Sequence, residues 1–180
     1  MKHLSLTQIS QGIQMIEEKI LSTSILLLAG ITIVNVFSRT VLNASLTFAE
    51  ELAQFLIIFI TFIGLSYAAS KGRHIRMSAL YDQLGHRARK RVMIVITATT
   101  ANLMFLFAYY SLRYIATVRA LGSVSPALQV PLYLIYTVAP IGFVLAGLQY
   151  TLATIRNWTE DEVYLSYQEK DEYVEVESHS

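Results

Sequence analysis

The residues of this sequence that could do chemistry lie at the ends of its apolar stretches, not inside them. The four histidines, at positions 3, 74, 86 and 179, fall outside the long uncharged stretches, so paired histidine ligands for a haem are not expected. The acidic pair Glu50 and Glu51 precedes an uncharged stretch instead of interrupting one. Because an ionisable group at membrane depth is costly and usually marks a pathway, this placement argues against a pump or a transport core.

Catalytic and metal-binding motifs are missing from the sequence. There are no cysteines, which excludes disulfide scaffolds, thiolate metal sites and thiol nucleophiles. No H-E-x-x-H motif or glycine-rich phosphate loop occurs. A net charge of +1 gives no indication of nucleic-acid binding. We therefore predict no enzyme activity, no metal and no cofactor; a bound phospholipid is compatible with the sequence.

The elements that carry these residues are membrane-spanning helices. Of the 180 residues, 54% are hydrophobic and 15% are charged, whereas a soluble domain has roughly 45–50% apolar and about 25% charged residues. A helix needs about 20 apolar residues to cross a bilayer. The uncharged stretches that meet this length predict spans at residues 20–38, 52–70, 92–112 and 131–155. The fold class is therefore all-α, an integral membrane protein with four transmembrane helices and short interfacial amphipathic helices.

The distribution of Lys and Arg predicts the orientation of the four spans. Eleven of these residues lie at the termini and in the middle loop, and three, Arg39, Arg113 and Arg119, lie in the other two connections. Positively charged loops remain in the cytoplasm. Both termini are therefore predicted to be cytoplasmic.

Three segments flank the spans of the predicted transmembrane domain, residues 20–158. Residues 1–19 have apolar residues at three- and four-residue steps, which fits either an interfacial amphipathic helix or a polar extension of the first span. Residues 159–180 carry eight acidic residues and one lysine, which predicts a solvated acidic tail. Trp158 marks the interface where the fourth span ends.

The middle loop is the most basic segment. An apolar stripe formed by Met77, Leu80, Leu84 and Ala88 predicts a short interfacial helix before the third span. A basic cluster follows, made of Arg87, Arg89, Lys90 and Arg91. We expect this cluster to contact anionic lipid headgroups; docking of a soluble partner is the alternative.

Small and mildly polar residues recur within the spans. Gly64 and Ala68 are four residues apart, as are Gly142 and Ala146, and Asn102 lies within the third span. Such residues allow close helix approach and hydrogen bonds across helices. They either pack this chain's own bundle or bind a second membrane protein.

Three motifs together resemble a known family. They are R-T-V-L-N at 39–43 with F-A-E-E-L at 48–52, the stretch 64–77 with Gly72, His74 and Ile75, and S-P-A-L-Q-V-P at 125–131 with A-P-I-G at 139–142. This resembles the small membrane subunit (Q, DctQ type) of tripartite ATP-independent periplasmic (TRAP) transporters, over residues 20–156. Arg76 and Met77 depart from the family pattern, which often has an acidic residue there.

The resemblance implies a transporter of three proteins in the bacterial inner membrane. A large membrane subunit (M) would carry the sodium and substrate sites and the moving elevator domain, and a periplasmic protein (P) would capture the substrate. The small subunit would brace the scaffold of M, and the substrates would be organic acids such as sialic acid or C4-dicarboxylates. The alternative function is a self-sufficient small oligomeric transporter or channel.

Site roles follow from the resemblance and from the positions of the charges. Arg39 would form a clasp with Glu50 and Glu51 between the first two spans, or these residues would contact M or P. Arg113 and Arg119 would either help to dock P or serve as ordinary surface charge. Gly72 and His74 would shape the cytoplasmic turn after the second span.

Overall fold

The computed structural model describes residues 2–71, 85–160, 164 and 166, and within this part of the chain the regular structure is helical. Four segments are long and apolar enough to cross a membrane, Met15–Val41, Thr47–Ser70, Arg87–Ala120 and Leu132–Thr159. The predicted all-α, four-span fold is therefore confirmed. The helical segments extend by up to eight residues beyond the uncharged stretches that predicted them, since a helix does not stop where the charged residues begin.

The helices are α1 (Lys2–Val41), α2 (Thr47–Ser70), α3 (His86–Ala120), α4 (Leu132–Tyr136) and α5 (Val138–Thr159). The first helix runs without a break through residue 19, so the N-terminal segment and the first span share one helix. An interfacial position for residues 1–19 stays a prediction. The expected interfacial helix in the middle loop and the Gly72–His74 turn lie outside the described residues.

The fourth span is interrupted between α4 and α5. Thr137 separates the two helices, and Pro140 lies in the first turn of α5. A proline is tolerated in a first turn, because an N–H group there has no partner within the helix. Placing the break at Thr137 thus accommodates Pro140 without loss of a hydrogen bond in α5.

Contacts divide the chain into a first unit, residues 1–64 with 108–142, and a second unit, residues 65–107 with 143–180. In the first unit, α2 and α5 touch through their backbones. A Cβ atom on Gly142 would overlap the carbonyl oxygen of Phe62 and lie 2.8 Å from the carbonyl carbon. Only glycine can occupy position 142 without moving one of the two helices.

The core of the second unit is built from three alanines and one tyrosine. Ala69, Ala101, Ala146 and Tyr150 form a buried cluster from α2, α3 and α5. Beside it, the Thr154 hydroxyl donates to the Thr97 hydroxyl at 2.9 Å, which joins α5 to α3. Close helix approach and this hydrogen bond together hold the three helices.

Candidate functional site

The connection between α3 and α4 is an ordered loop, not a flexible linker. Its two ends are paired by a bridge between Val124 and Pro131, and the Leu132 amide donates to the Ser123 carbonyl at 3.0 Å. Gly122 and Gln129 adopt positive φ angles of 61° and 54°. Glycine takes this conformation without strain, and its freedom at position 122 lets the chain leave α3.

Within this loop, residues 126–128 form a single turn of helical type, which Gln129 closes. The Gln129 amide donates to the Ser125 carbonyl at 3.1 Å, which is the spacing of an α-helical hydrogen bond. The amides of a first helical turn have no partner inside the turn. Pro126 has no N–H group, so the two amides left without a local partner are those of Ala127 and Leu128.

Glu51 supplies the partner for both amides. Its two carboxylate oxygens accept hydrogen bonds from the Ala127 amide at 2.6 Å and the Leu128 amide at 2.8 Å. The Glu51 side chain is buried, with 9% of its surface exposed. A carboxylate is a stronger acceptor than a neutral group and is favoured at the start of a helical turn. We call this contact the Glu51 clasp; it joins the beginning of α2 to the α3–α4 loop.

The structure gives Glu51 a different partner from the predicted Arg39. Arg39 is exposed, and within the described residues no ion pair joins it to either glutamate. Glu50 is also exposed and accepts a hydrogen bond from the Ser45 hydroxyl at 3.1 Å. Both oxygens of Glu51 accept from amides that would otherwise be unsatisfied.

The other two predicted arginines lie apart from the Glu51 clasp. Arg113 is exposed on α3. Arg119, near the end of α3, stacks over the ring of Tyr133 with 5.7 Å between the guanidinium carbon and the ring centroid. These positions leave a role in partner contact as a prediction.

The α1–α2 connection is fixed by side chains of α1. The Asn35 carboxamide oxygen accepts from the Leu46 amide at 3.0 Å, and the Ser38 hydroxyl donates to the Ala44 carbonyl at 2.9 Å. These bonds hold the residues just before α2. They therefore help to place Glu51, which lies in the second turn of that helix.

The predicted packing residues have different environments. Ala146 is fully buried in the core, and Gly142 meets Phe62 as described above.

The other predicted pair is less tightly packed. A Cβ atom on Gly64 would be in ordinary contact with Leu21, 3.6 Å from its Cδ2 atom, and Ala68 is partly buried. Asn102 is exposed.

The basic cluster lies in the first two turns of α3 itself. Arg87 and Arg91 are exposed, and Arg89 and Lys90 are partly buried. The first turn of α3 contains no acidic residue. Cations at a helix N-terminus are opposed by the helix dipole.

The C-terminal end of α5 is hydrogen-bonded to Tyr164, which follows it in the chain. The Asn157 carboxamide accepts from the Tyr164 amide and donates to the Tyr164 carbonyl, both at 2.8 Å. Arg156 lies over the Tyr164 ring at 3.9 Å. Tyr164 and Ser166 are buried; the other residues after 160 lie outside the described part of the chain, and the solvated acidic tail stays a prediction. Trp158 is 74% exposed, as an interfacial aromatic residue would be.

A family model described as "Tripartite ATP-independent periplasmic transporters, DctQ component" matches residues 28–160. The chain belongs to this DctQ family of TRAP transporter small permease subunits. The resemblance carried by the three sequence motifs is thus confirmed. The matched range contains the Glu51 clasp, the last three apolar segments and the second half of the first, so this DctQ protein is a multi-pass membrane protein.

Individual relatives cover different shares of the DctQ chain. It is 43% identical over 166 residues to the ectoine TRAP transporter small permease protein TeaB of Halomonas elongata, which is 92% of this chain and 86% of that protein. It is 26% identical over 105 residues to the C4-dicarboxylate TRAP transporter small permease protein DctQ of Rhodobacter capsulatus, covering 57% and 45%.

A third relative is a much longer protein. The chain is 28% identical over 101 residues to the sialic acid TRAP transporter permease protein SiaT of Haemophilus influenzae, which is 56% of this chain and 16% of that protein. A region similar to this DctQ chain therefore occurs inside a larger permease polypeptide. The large membrane subunit is the partner that this arrangement implies.

Proposed function

We propose that this DctQ chain braces the scaffold of a large membrane subunit that moves substrate by an elevator motion, in a sodium-driven TRAP transporter. The observation that carries the proposal is the Glu51 clasp, which ties the start of one span to the loop between two others. An elevator domain slides against a fixed frame, and a frame must resist displacement. A loop held by a buried carboxylate suits that role.

The distribution of charge favours a bracing role for this chain and argues against a transport pathway through it. The predicted spans contain no Asp, Glu, Lys, Arg or His in the sequence. Ion and proton pathways through membranes generally need such groups. The substrate and sodium sites would therefore belong to the large subunit.

We assign ectoine as the transported substrate. The relative named for ectoine is 43% identical over 92% of this chain, while the relatives named for sialic acid and C4-dicarboxylate are 28% and 26% identical over little more than half of it. This favours ectoine over the sialic acid and C4-dicarboxylate substrates expected from the motifs.

We place the protein in the bacterial inner membrane with both termini in the cytoplasm. The eleven-to-three distribution of Lys and Arg supports this orientation. Arg39, Arg113 and the Glu51 clasp would then face the periplasm. There the ordered α3–α4 loop would offer a fixed surface to the substrate-binding protein, which would bind transiently.

Lipid contacts would fix the depth of the protein. The four cations that begin α3, Arg87, Arg89, Lys90 and Arg91, would meet anionic headgroups. On the first unit, an apolar groove of about 450 Å³ lies between α1 and the start of α2, lined by residues that include Leu26, Gly30 and Phe48. It would accept a phospholipid acyl chain.

Reconstitution tests the proposal. Proteoliposomes would contain this chain, the large subunit or both, with the binding protein added outside. We expect uptake of labelled ectoine, driven by a sodium gradient, only when all three proteins are present. Flux of solute or ions with this chain alone would contradict the proposal and favour the self-sufficient transporter. Uptake of labelled sialic acid or a labelled C4-dicarboxylate, with no uptake of labelled ectoine, would overturn the substrate assignment.

A further inference from the structure

Asn102 stands at the middle of the third span. It comes eleven residues after Arg91 and eleven residues before Arg113. At about 1.5 Å per residue, each arginine lies about 16 Å from Asn102 along the helix, and the two together bracket the hydrocarbon thickness of about 30 Å. The Asn102 side chain therefore lies near the centre of the bilayer.

This asparagine differs from the two others in the long helices. Asn35 accepts from the Leu46 amide, and Asn157 is paired with the backbone of Tyr164. The Asn102 side chain is exposed, and no hydrogen bond joins it to any of the described residues. An exposed carboxamide without a partner in hydrocarbon is costly, because lipid tails offer neither donor nor acceptor.

Asn102 belongs to a continuous exposed face of α3. Residues three or four apart share one face of a helix. In the second unit, the face that contains Asn102 consists of Val95, Ala98, Thr99, Asn102 and Leu106. All five are exposed. This surface crosses the centre of the membrane and carries one carboxamide, one threonine hydroxyl and one alanine. Small residues of this kind let a second helix approach closely. We call this surface the Asn102 face.

The outer surface of α1 provides the contrast. Its exposed residues are mainly large and aliphatic, including Leu26, Ile33 and Val34. Its exposed hydroxyls at positions 32 and 40 are satisfied within the helix: Thr32 donates to the Leu28 carbonyl at 2.7 Å, and Thr40 donates to the Val36 carbonyl at 2.8 Å. This face suits acyl chains, whereas the Asn102 face needs a hydrogen-bonding neighbour.

We infer that the Asn102 face is the surface through which this chain binds a spanning helix of the large membrane subunit, with the Asn102 carboxamide bonded to a polar side chain or free carbonyl of that helix. The inference rests on the proposed function and adds the contact face to it. In the SiaT relative, the region similar to this chain makes up 16% of a longer permease. This supports a large permease, and not a second copy of this chain, as the protein that contacts the Asn102 face.

Site-specific photocrosslinking in the assembled complex tests the inference. A photoreactive amino acid would replace Asn102, Thr99 or Leu106 in turn, and Ile33 on α1 as the matched exposed control. We expect crosslinks to the large subunit from the three α3 positions. Crosslinks from Ile33 alone, crosslinks from α3 to a second copy, or crosslinks from α3 only to lipid would each overturn the inference while leaving the proposed function intact.

A pair of substitutions gives an independent readout. Asn102→Leu removes the carboxamide, and we expect the large subunit retained on the tagged chain after detergent washing to fall about three- to twentyfold, the range measured for hydrogen bonds between spanning helices. Thr32→Val, whose hydroxyl is satisfied within α1, should leave retention unchanged. Equal retention in both variants would contradict the inference. Failure of the unmodified chain to retain the large subunit would instead overturn the proposed function itself.

Discussion

At the scale of single residues, the Glu51 clasp depends on a carboxylate with two equivalent acceptors. Its oxygens take the amides of two successive residues, Ala127 and Leu128. A glutamine at this position would offer one acceptor oxygen and one NH₂ group. One amide would then face a donor instead of an acceptor, which is the costly arrangement for a buried polar group.

This leads to a prediction that separates the two adjacent glutamates. We expect Glu51→Gln to lower the thermal stability of the purified subunit and to reduce its co-purification with the large subunit, because the α3–α4 loop loses its anchor. Glu50→Gln is the matched control, since the exposed Glu50 contacts only the Ser45 hydroxyl among the bonds described. Differential scanning fluorimetry and quantitative pull-down would measure both. Equal effects of the two substitutions would show that the clasp has no special role.

At the scale of secondary-structure elements, the contact between α2 and α5 requires a glycine. We expect Gly142→Ala to destabilise the protein by about 1–3 kcal/mol, the usual cost of overpacking, because the new methyl group would overlap the backbone of Phe62. Gly30→Ala is the control, since a Cβ atom there meets nothing within 4 Å. It should be neutral or stabilise α1 by up to about 1 kcal/mol. Chemical unfolding in detergent would test both, and a stable Gly142→Ala variant would refute the prediction.

The positions of the helices could be predicted from the sequence, whereas the contacts between them could not. Uncharged stretches of about 20 residues located all four spans, because hydrophobic length is a local property. The partner of Glu51 cannot be predicted from the sequence, since the contact joins residues 76 and 77 positions apart and Arg39 is nearer along the chain. One signal was present: Ser125-Pro126 can open a helical turn whose amides need an acceptor. The pairing of Asn157 with Tyr164 was equally hidden, because it is a tertiary contact beyond the end of α5.

At the scale of the whole molecule, the orientation in the membrane is directly testable. The sequence contains no cysteine, so each introduced cysteine is the only thiol of the protein. We expect Asn43→Cys, in the α1–α2 connection, to react with a membrane-impermeant maleimide added to spheroplasts. Ser180→Cys should react only after the membrane is permeabilised. The opposite pattern would place both termini in the periplasm and contradict the proposed orientation.

The Glu51 clasp also has a consequence for biosynthesis. Its carboxylate is translated 76 residues before its first partner amide, so it has no such partner while α2 and α3 are being made. A contact of such long sequence separation forms late, because the intervening chain must be ordered first. The buried state of Glu51 is therefore reached only after α3 and the loop behind it are in place. The clasp thus requires the chain through Leu128, a point at which α4 and α5 have still to be translated.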